Sequence, residues 1–294
     1  MRLGVPTAQL LAVGAMLLFV LEAAFVKAIG PEVNAAQVAL VRTAAQFVFL
    51  GLWLRGRTFG MFATTRPGMH VLRGLFSATG SLAYFYVFAL LPMATATVVF
   101  FSSVLFTTMA AGPVLGEKVG WRRWSATLAG FAGILIVVRP GTVTLDWPLL
   151  VAFYLAINSS AITLSTKDLT RTEPTETIMA WIGVTTLAFC LPIALVTWTW
   201  PTVEATVLMA LVAITGTLGQ WASVSAFRLA DASGIAPIQY LRIVFAGAIG
   251  WWLFEERIDG WSILGAAIVT GSAFYITIRE AQLKRDRAGR QPDV

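Results

Sequence analysis

Long apolar stretches separated by short polar segments follow one another from the start of the chain to about residue 278. Stretches such as 128–138 and 265–278 are continuously apolar, whereas strands of a transmembrane barrel would alternate apolar and polar residues. Each stretch is about 20 residues long, which lets a helix cross roughly 30 Å of hydrocarbon. The pattern therefore predicts an all-α integral membrane protein with ten transmembrane helices, at 7–29, 33–54, 69–89, 94–115, 121–138, 147–166, 177–199, 206–228, 233–254 and 260–278.

Composition supports this prediction and removes several classes of function. The 294 residues are 57% hydrophobic and 12% charged, and the mean hydropathy is +0.78, far from a soluble domain. The first 30 residues could be a signal peptide, but Glu22 and Lys27 stand where a small-residue cleavage site should lie, so we predict a membrane span. A single cysteine and a single histidine leave no disulfide within the chain and no histidine cluster for a metal. No metal or cofactor is expected.

The basic residues are unevenly divided between the two predicted sides of the membrane. Of 21 Lys and Arg residues, three fall in the predicted outer segments (Lys27, Arg139 and Arg257), two fall within spans (Arg42 and Arg242), and the other 16 lie on the inner side. The positive-inside rule then predicts that both termini are cytoplasmic. Basic residues in short loops explain the net charge of +6 without nucleic acid as a partner.

Matching residues recur about 140 positions apart along the chain. The turn sequence LGEKVGW at 115–121 has a relative, FEERIDGW, at 254–261, and further matches join Lys27 to Lys167 and Gly80 to Gly219. We predict two five-helix repeats, 1–141 and 142–280, followed by a basic cytoplasmic tail, 281–294, that is expected to be disordered. Because five is odd, the second repeat must be inverted relative to the first, which suits alternating access. Small residues four apart in helices 5 and 10 are expected to allow close packing there.

Several motifs resemble those of the drug/metabolite transporter superfamily, specifically its EamA-type members with ten helices. They are Lys27 at the end of helix 1, ALVRTAAQF at 39–47, LPMATAT at 91–97, LGEKVGW followed by LAGFAGILIVVRPG, and in the second half LADASGIAPIQ at 229–239 and FEERIDGWSILGAAIVTGSAF. The resemblance implies a central cavity enclosed by helices 3, 4, 8 and 9 with help from 1 and 6, and a scaffold role for helices 5 and 10. It also implies transport of small organic metabolites, often the export of amino acids or related compounds.

Two ionisable residues in the first two helices are candidates for a role in transport. Glu22 is the carboxylate predicted to lie within a span, where a charge costs a few kcal/mol unless it is paired. Arg42 is predicted at a similar depth, so an ion pair is geometrically reasonable. Two interpretations stay open: a structural lock between helices 1 and 2, or a Glu22 that takes up a proton or a substrate ammonium. Neither residue has a counterpart in the second repeat.

Arg242 is predicted near the middle of the membrane in helix 9, where inverted-repeat transporters tend to bind their substrates. Its neighbours Gln239 and Tyr240 add hydrogen-bond donors, and Tyr84 and Trp221 are candidates for an aromatic wall. Arg242 is either paired internally or holds an acidic group of the cargo. These residues predict a secondary transporter of a small amphoteric metabolite, with export favoured and protons as a candidate coupling ion.

Other functions are weighed against this one. An import role for a larger compound, such as a vitamin or a nucleoside-like molecule, is the first alternative, and a non-transporting anchor or signalling subunit is another class. An enzyme is not expected, because the interior offers no acidic pair and no nucleophile with a base. GPVLGEK at 112–118 fails as a phosphate loop because Glu117 separates the second glycine from the lysine. We expect a monomer or homodimer surrounded by lipid in a bacterial inner membrane.

Overall fold

A computed structural model describes residues 4–53, 59–103, 105–107, 109–110, 121–138, 146–169, 172–229, 238, 241–256 and 259–288 of the protein. These residues contain no strand, and they form two short 3-10 turns and ten α-helices. The helices are α1 (Gly4–Ile29), α2 (Ala35–Trp53), α3 (Pro67–Leu90), α4 (Met93–Phe101), α5 (Trp121–Val138), α6 (Trp147–Leu169), α7 (Thr175–Val196), α8 (Val203–Leu229), α9 (Leu241–Phe254) and α10 (Gly260–Ala288).

The ten helices correspond in order to the ten predicted ones, which confirms an all-helical membrane protein. Six are long and apolar enough to cross a membrane, and shorter apolar stretches of 10–17 residues account for the other four. The predicted helices 94–115 and 233–254 extend beyond the described residues, since positions 111–120 and 231–237 lie outside them. The first turn motif, LGEKVGW, therefore lies almost entirely outside the described part of the chain.

The end of the chain differs from the prediction of a disordered tail after the last span. Helix α10 continues without a break from Gly260 to Ala288. The added segment, REAQLKRDRA, consists mostly of residues with good helix propensity, and the next glycine follows only at position 289. The predicted hydrophobic span therefore ends at residue 278, whereas the helix continues through polar residues to Ala288.

Helix packing follows a pseudo-twofold relation between the repeats. Helix α1 packs along α8, and its counterpart α6 packs along α3, which is the counterpart of α8. Replacing each helix by its counterpart in the other repeat also turns the α2–α8 contact into the α7–α3 contact. In the same way it turns the α4–α6 contact into the α9–α1 contact. Each helix of one repeat therefore finds its main neighbours in the other repeat, as expected for two inverted five-helix units.

The glycines that match between the repeats occupy equivalent positions in this packing. A Cβ atom on Gly80 of α3 would lie 2.5 Å from Asn158 Oδ1 on α6. On Gly219 of α8 it would lie 3.2 Å from side-chain atoms of Leu18 and Phe19 on α1. Asn158 follows Leu18 by the same spacing of about 140 that separates the two repeats. Glycine thus permits the same close helix approach on both sides of the pseudo-twofold.

The two faces of the bundle are named by the chain path. The terminal face is the one at which α1 and α3 begin and α6 and α10 end, and the opposite face is the one at which α1, α3 and α9 end. On the terminal face Arg66 Nη2 lies 2.5 Å from Asp168 Oδ2, which joins the start of α3 to the end of α6. Helices α5 and α10 pack against each other, with α4 as a further neighbour.

Close contact between α5 and α10 depends on glycine at their crossing. A Cβ on Gly133 would lie 2.9 Å from the backbone oxygen of Gly265, and a Cβ on Gly265 would lie 2.6 Å from the backbone oxygen of Gly133. Gly130 in contrast faces Leu105, and Gly271 has open space around it. The expected small-residue contact therefore exists at Gly133, whereas Gly271 does not contribute to it.

We predict that Gly265→Ala lowers the stability of the purified protein in detergent by about 1–3 kcal/mol, because backbone atoms cannot yield to an overpacked methyl group. The thermal unfolding midpoint, followed by intrinsic tryptophan fluorescence, measures this effect. Gly271→Ala on the same helix is the matched control and should leave the midpoint unchanged or slightly raised. Equal midpoints for the two variants would contradict the close crossing.

Candidate functional site

A cavity of about 280 Å³ lies in the middle of the bundle, between the helices of the two repeats. Its charged and amide-bearing lining residues are Glu22, Arg42, Gln46, Arg73, Gln220 and Arg242. Larger cavities of about 450 and 740 Å³ are lined mostly by apolar side chains and contain no arginine among the described residues. Charged groups in a membrane interior usually mark a pathway for polar cargo, so the smaller cavity is the candidate site.

More helices line this cavity than the family resemblance implied. Helices α1, α3, α4, α6, α8 and α9 contribute as expected, but α2 contributes Arg42, Thr43 and Gln46, and α7 contributes Ile182, Gly183 and Thr186. The reason is that α2 and α7 pack against each other across the pseudo-twofold. This contact forms one wall of the cavity.

Glu22 and Arg42 form the ion pair that their predicted depths suggested. Arg42 Nε donates to Glu22 Oε1 at 2.7 Å, and Arg42 Nη2 donates to Gln220 Oε1 at 3.3 Å. The Glu22 side chain is 4% exposed and the Arg42 side chain 18%. Gly216 on α8 makes room for the pair, since a Cβ there would lie 2.7 Å from Arg42 Nε. The pair therefore connects α1, α2 and α8.

Arg242 lies at the start of the described part of α9 and points into an aromatic enclosure. Its Nη2 donates to the Tyr84 hydroxyl at 3.1 Å. The guanidinium carbon also lies 4.8 Å from the ring centre of Phe100 and within 6 Å of three more rings, those of Phe19, Tyr84 and Phe88. Ring faces stabilise a cation but leave hydrogen-bond donors free for an acidic group. In the described part of the chain no carboxylate lies within salt-bridge distance of Arg242.

Arg73 lines the same cavity, although sequence reasoning assigned it to an inner polar segment. It lies in the second turn of α3 and is 7% exposed. Its Nε donates to Thr166 Oγ1 on α6 at 2.6 Å, and its Nη1 donates to Ser77 Oγ. Because Arg73 is close to a predicted inner loop, the sequence analysis counted it with the inner basic residues and did not predict it as a site residue. The i, i+4 spacing of Arg73 and Ser77, like that of Arg42 and Gln46, was the available signal for a polar helix face.

The remaining predicted site residues differ in their relation to the cavity. Tyr84 lines it and binds Arg242. Trp221 is partly buried and packs against a cluster formed by Ala15, Met16 and Ala222, outside the cavity lining. Gln239 and Tyr240 lie outside the described residues. Within the described residues, no three His, Cys, Asp or Glu side chains come together as a group that could hold a metal ion.

Another ion pair joins three turns on the opposite face. Lys27 Nζ lies 3.0 Å from Glu256 Oε1 and donates to the Leu91 backbone oxygen at 3.0 Å. The Glu256 carboxylate also accepts from the backbone N–H of Met93, at 3.0 and 2.9 Å for its two oxygens. The Glu256 carboxylate lies at the N-terminus of α4, and the Lys27 ammonium lies in the last turn of α1. Both charges therefore have the sign that the helix dipole favours at that end. We call Lys27, Leu91, Met93 and Glu256 the opposite-face latch.

The backbone that presents Glu256 to the latch is strained. Glu255 has φ of 53°, a left-handed conformation in which glycine is usual, and Glu256 N donates to the Gly250 oxygen at 3.1 Å. Such a conformation costs about 1–2 kcal/mol for a residue with a side chain. The hydrogen bonds of the latch hold this turn in place.

Comparison with known proteins gives a family match over most of the chain. The model of the EamA-like transporter family matches residues 6–139 and 146–278. The chain is 27% identical to an S-adenosylmethionine uptake transporter of Rickettsia prowazekii over 254 residues, which cover 86% of each protein. It is 30% identical to a riboflavin transporter of Vibrio cholerae over 253 residues, 84% of each protein. It is 26% identical to a pseudopaline exporter of Pseudomonas aeruginosa over 266 residues, 88% of this chain and 92% of that protein.

We predict that Glu22→Gln destabilises the protein by about 3 kcal/mol, because it leaves a buried guanidinium without its carboxylate. Arg42→Gln should cost less, since an unpaired carboxylate can take up a proton whereas a guanidinium cannot lose one. The double variant should be more stable than the sum of the two losses predicts. Thermal unfolding of all variants in the same detergent measures the coupling.

Arg66→Gln is the matched control for this cycle, because it breaks a partly exposed pair with Asp168 that is worth about 1 kcal/mol or less. Additive losses for Glu22 and Arg42 would contradict an energetically coupled pair.

Proposed function

The chain belongs to the EamA-like transporter family, and from this we propose that it is a secondary transporter of a small amphoteric metabolite, an amino acid or a related compound. The observation that supports this proposal most directly is the central cavity, which Arg242 lines without a carboxylate partner among the described residues. A permanent cation that is buried and unpaired is costly, so an acidic group of the cargo would stabilise it.

The amphoteric character of the proposed cargo depends on Glu22. Its carboxylate lies in the same cavity as Arg242 and carries the opposite charge. An ammonium group of the cargo could compete with Arg42 for this carboxylate while the acidic group of the cargo binds Arg242. We propose further that protonation of Glu22 in one state of the cycle weakens its hold on Arg42, which would couple transport to protons.

Alternating access is supported by an asymmetry between the two repeats. Helix α3 contacts α1 and α2 as well as α6 and α7, whereas no comparable contact joins its counterpart α8 to α6 and α7 over the described residues. Ser159 of α6 and Gln220 of α8 line the cavity in this gap. The opposite-face latch joins the ends of α1, α3 and α9. We therefore propose that the cavity is closed toward the opposite face in this state.

The charge distribution supports an orientation of the protein in the membrane. We propose that the terminal face is cytoplasmic, because the basic residues favour it, and that the protein resides in a bacterial inner membrane. Export is our first proposal, in agreement with the exporter among its relatives. Import of a nucleoside-like compound or a vitamin is the second candidate, favoured by the relatives named for S-adenosylmethionine uptake and riboflavin.

We predict that Arg242→Ala lowers transport by about tenfold or more, the value of one charged hydrogen bond in a buried site. Metabolite profiling of overexpressing cells identifies the cargo, and flux of that labelled compound in vesicles measures the loss. Glu22→Gln should abolish the effect of a pH gradient on this flux.

Arg66→Ala removes the same charge from the same protein outside the cavity and is the control for expression and folding. If the unaltered protein transports none of the labelled metabolites tested, transport would be refuted and a non-transporting membrane subunit would be favoured.

We predict that Glu256→Gln opens the cavity toward the opposite face, because the neutral amide no longer holds Lys27. A cysteine at the cavity residue Ser81, in a Cys190→Ser background, reports on access through labelling by a membrane-impermeant thiol reagent added from that side. Labelling should increase several-fold in Glu256→Gln.

Glu255→Gln is the matched control, since it is the adjacent exposed glutamate with no latch contact of its own recorded among the described residues. The same labelling rate for Glu256→Gln and Glu255→Gln would show that the latch does not close the cavity.

A further inference from the structure

We infer that Arg73, with Ser77 and Thr166, forms a second anion-binding position in the cavity, so that the cargo carries two acidic groups at separate points. This inference rests on the proposed transport function and adds the substrate class: an amphoteric organic compound with two acidic groups and a net negative charge.

Arg73 is buried and faces the candidate site. The residue is 7% exposed, yet its side chain lines the central cavity together with Arg242. Both of its recorded partners are neutral hydroxyl groups, Thr166 Oγ1 at 2.6 Å and Ser77 Oγ. Thr166 Oγ1 in turn donates to the Ile162 backbone oxygen at 2.7 Å, which fixes its lone pairs toward Arg73. The guanidinium is thus held in place by groups that do not neutralise it.

The balance of charge in the cavity favours an anionic cargo. Three arginines and one glutamate line the cavity within the described part of the chain, and Glu22 is engaged with Arg42. Neither Arg73 nor Arg242 has a carboxylate within salt-bridge distance among the described residues. Two uncompensated guanidinium groups in a membrane interior are a large cost that bound anions would offset.

The two arginines line one cavity and contact α3 at different levels, Arg73 at Ser77 and Arg242 at Tyr84. Arg73 and Tyr84, the partner of Arg242, are both on α3, and their Cα atoms are about 16 Å apart along the helix axis at 1.5 Å per residue. Each is about 9 Å from its own end of the helix, so the two positions are at similar depth from the two faces. The Arg73 guanidinium reaches Ser77, one turn closer to Tyr84, so a single cargo that touches both arginines needs two acidic groups that are separated along the α3 axis.

A structural role is the alternative explanation for Arg73, since its hydrogen bond to Thr166 joins α3 to α6. The two roles differ in what they predict for ligands. A purely structural arginine would affect the binding of all anions equally, whereas a second anion position would affect only compounds with a second acidic group.

Thermal stabilisation by simple carboxylates tests this inference without knowledge of the natural cargo. The probes are unbranched dicarboxylates from succinate to sebacate and monocarboxylates of matched chain length, at constant ionic strength, with the full-length protein in detergent. We expect one range of dicarboxylate lengths to bind about tenfold more tightly than its matched monocarboxylate, the contribution of one charged hydrogen bond.

Arg73→Gln should abolish this advantage of the dicarboxylate while monocarboxylate binding remains, and Arg73→Lys should retain part of it. Arg66→Gln, which removes a positive charge from the start of the same helix outside the cavity, should leave the advantage intact. If Arg73→Gln keeps the full dicarboxylate advantage, the second anion position is wrong, although transport through Arg242 would still stand. If Arg242→Gln leaves monocarboxylate binding unchanged, the proposed cargo site itself is wrong.

Discussion

An odd number of helices in each repeat is the constraint on which the rest of this structure depends. Five crossings bring the chain to the face opposite its start, so the second repeat must pack upside down against the first. The helices then pair between repeats, α1 with α8 and α6 with α3, and a space remains on the pseudo-twofold axis. Two repeats related in this way could exchange between two packings of similar energy. In the described residues, α3 contacts α1 and α2, whereas α8 makes no comparable contact with α6 and α7, which is the asymmetry on which the proposed closed state rests.

Charge in a low-dielectric interior determines what that space can hold. The Glu22–Arg42 pair satisfies one charge with another and connects three helices. Arg242 and Arg73 are instead held by rings and hydroxyl groups, which position a guanidinium without neutralising it. The opposite-face latch contains a further charge pair, Lys27 and Glu256, whose side chains are 16% and 12% exposed. The charges proposed to bind cargo thus differ in their partners from the charges that form ion pairs.

The sequence predicted the fold well and the site only in part. Ten apolar stretches, a spacing of about 140 between matching residues and the family motifs were enough for the ten-helix architecture and for the family, both of which are confirmed. The depths of Glu22 and Arg42 predicted their contact. Arg73 was missed because a basic residue near a helix start has the same appearance as a positive-inside signal. The helical continuation to Ala288 was missed because hydropathy does not measure helix propensity.

Distances between spin labels across the two faces test alternating access most directly. One pair, at Trp147 and Val203, spans the start of α6 and the start of α8 on the opposite face, and the other, at Leu10 and Leu72, spans α1 and α3 on the terminal face; all four side chains are exposed. Both distances are measured in lipid nanodiscs by double electron–electron resonance. Glu256→Gln weakens the latch, so it should lengthen the first distance and shorten the second in the same molecules. Independent changes, or a lengthened first distance with an unchanged second one, would contradict a bundle that alternates between two packings.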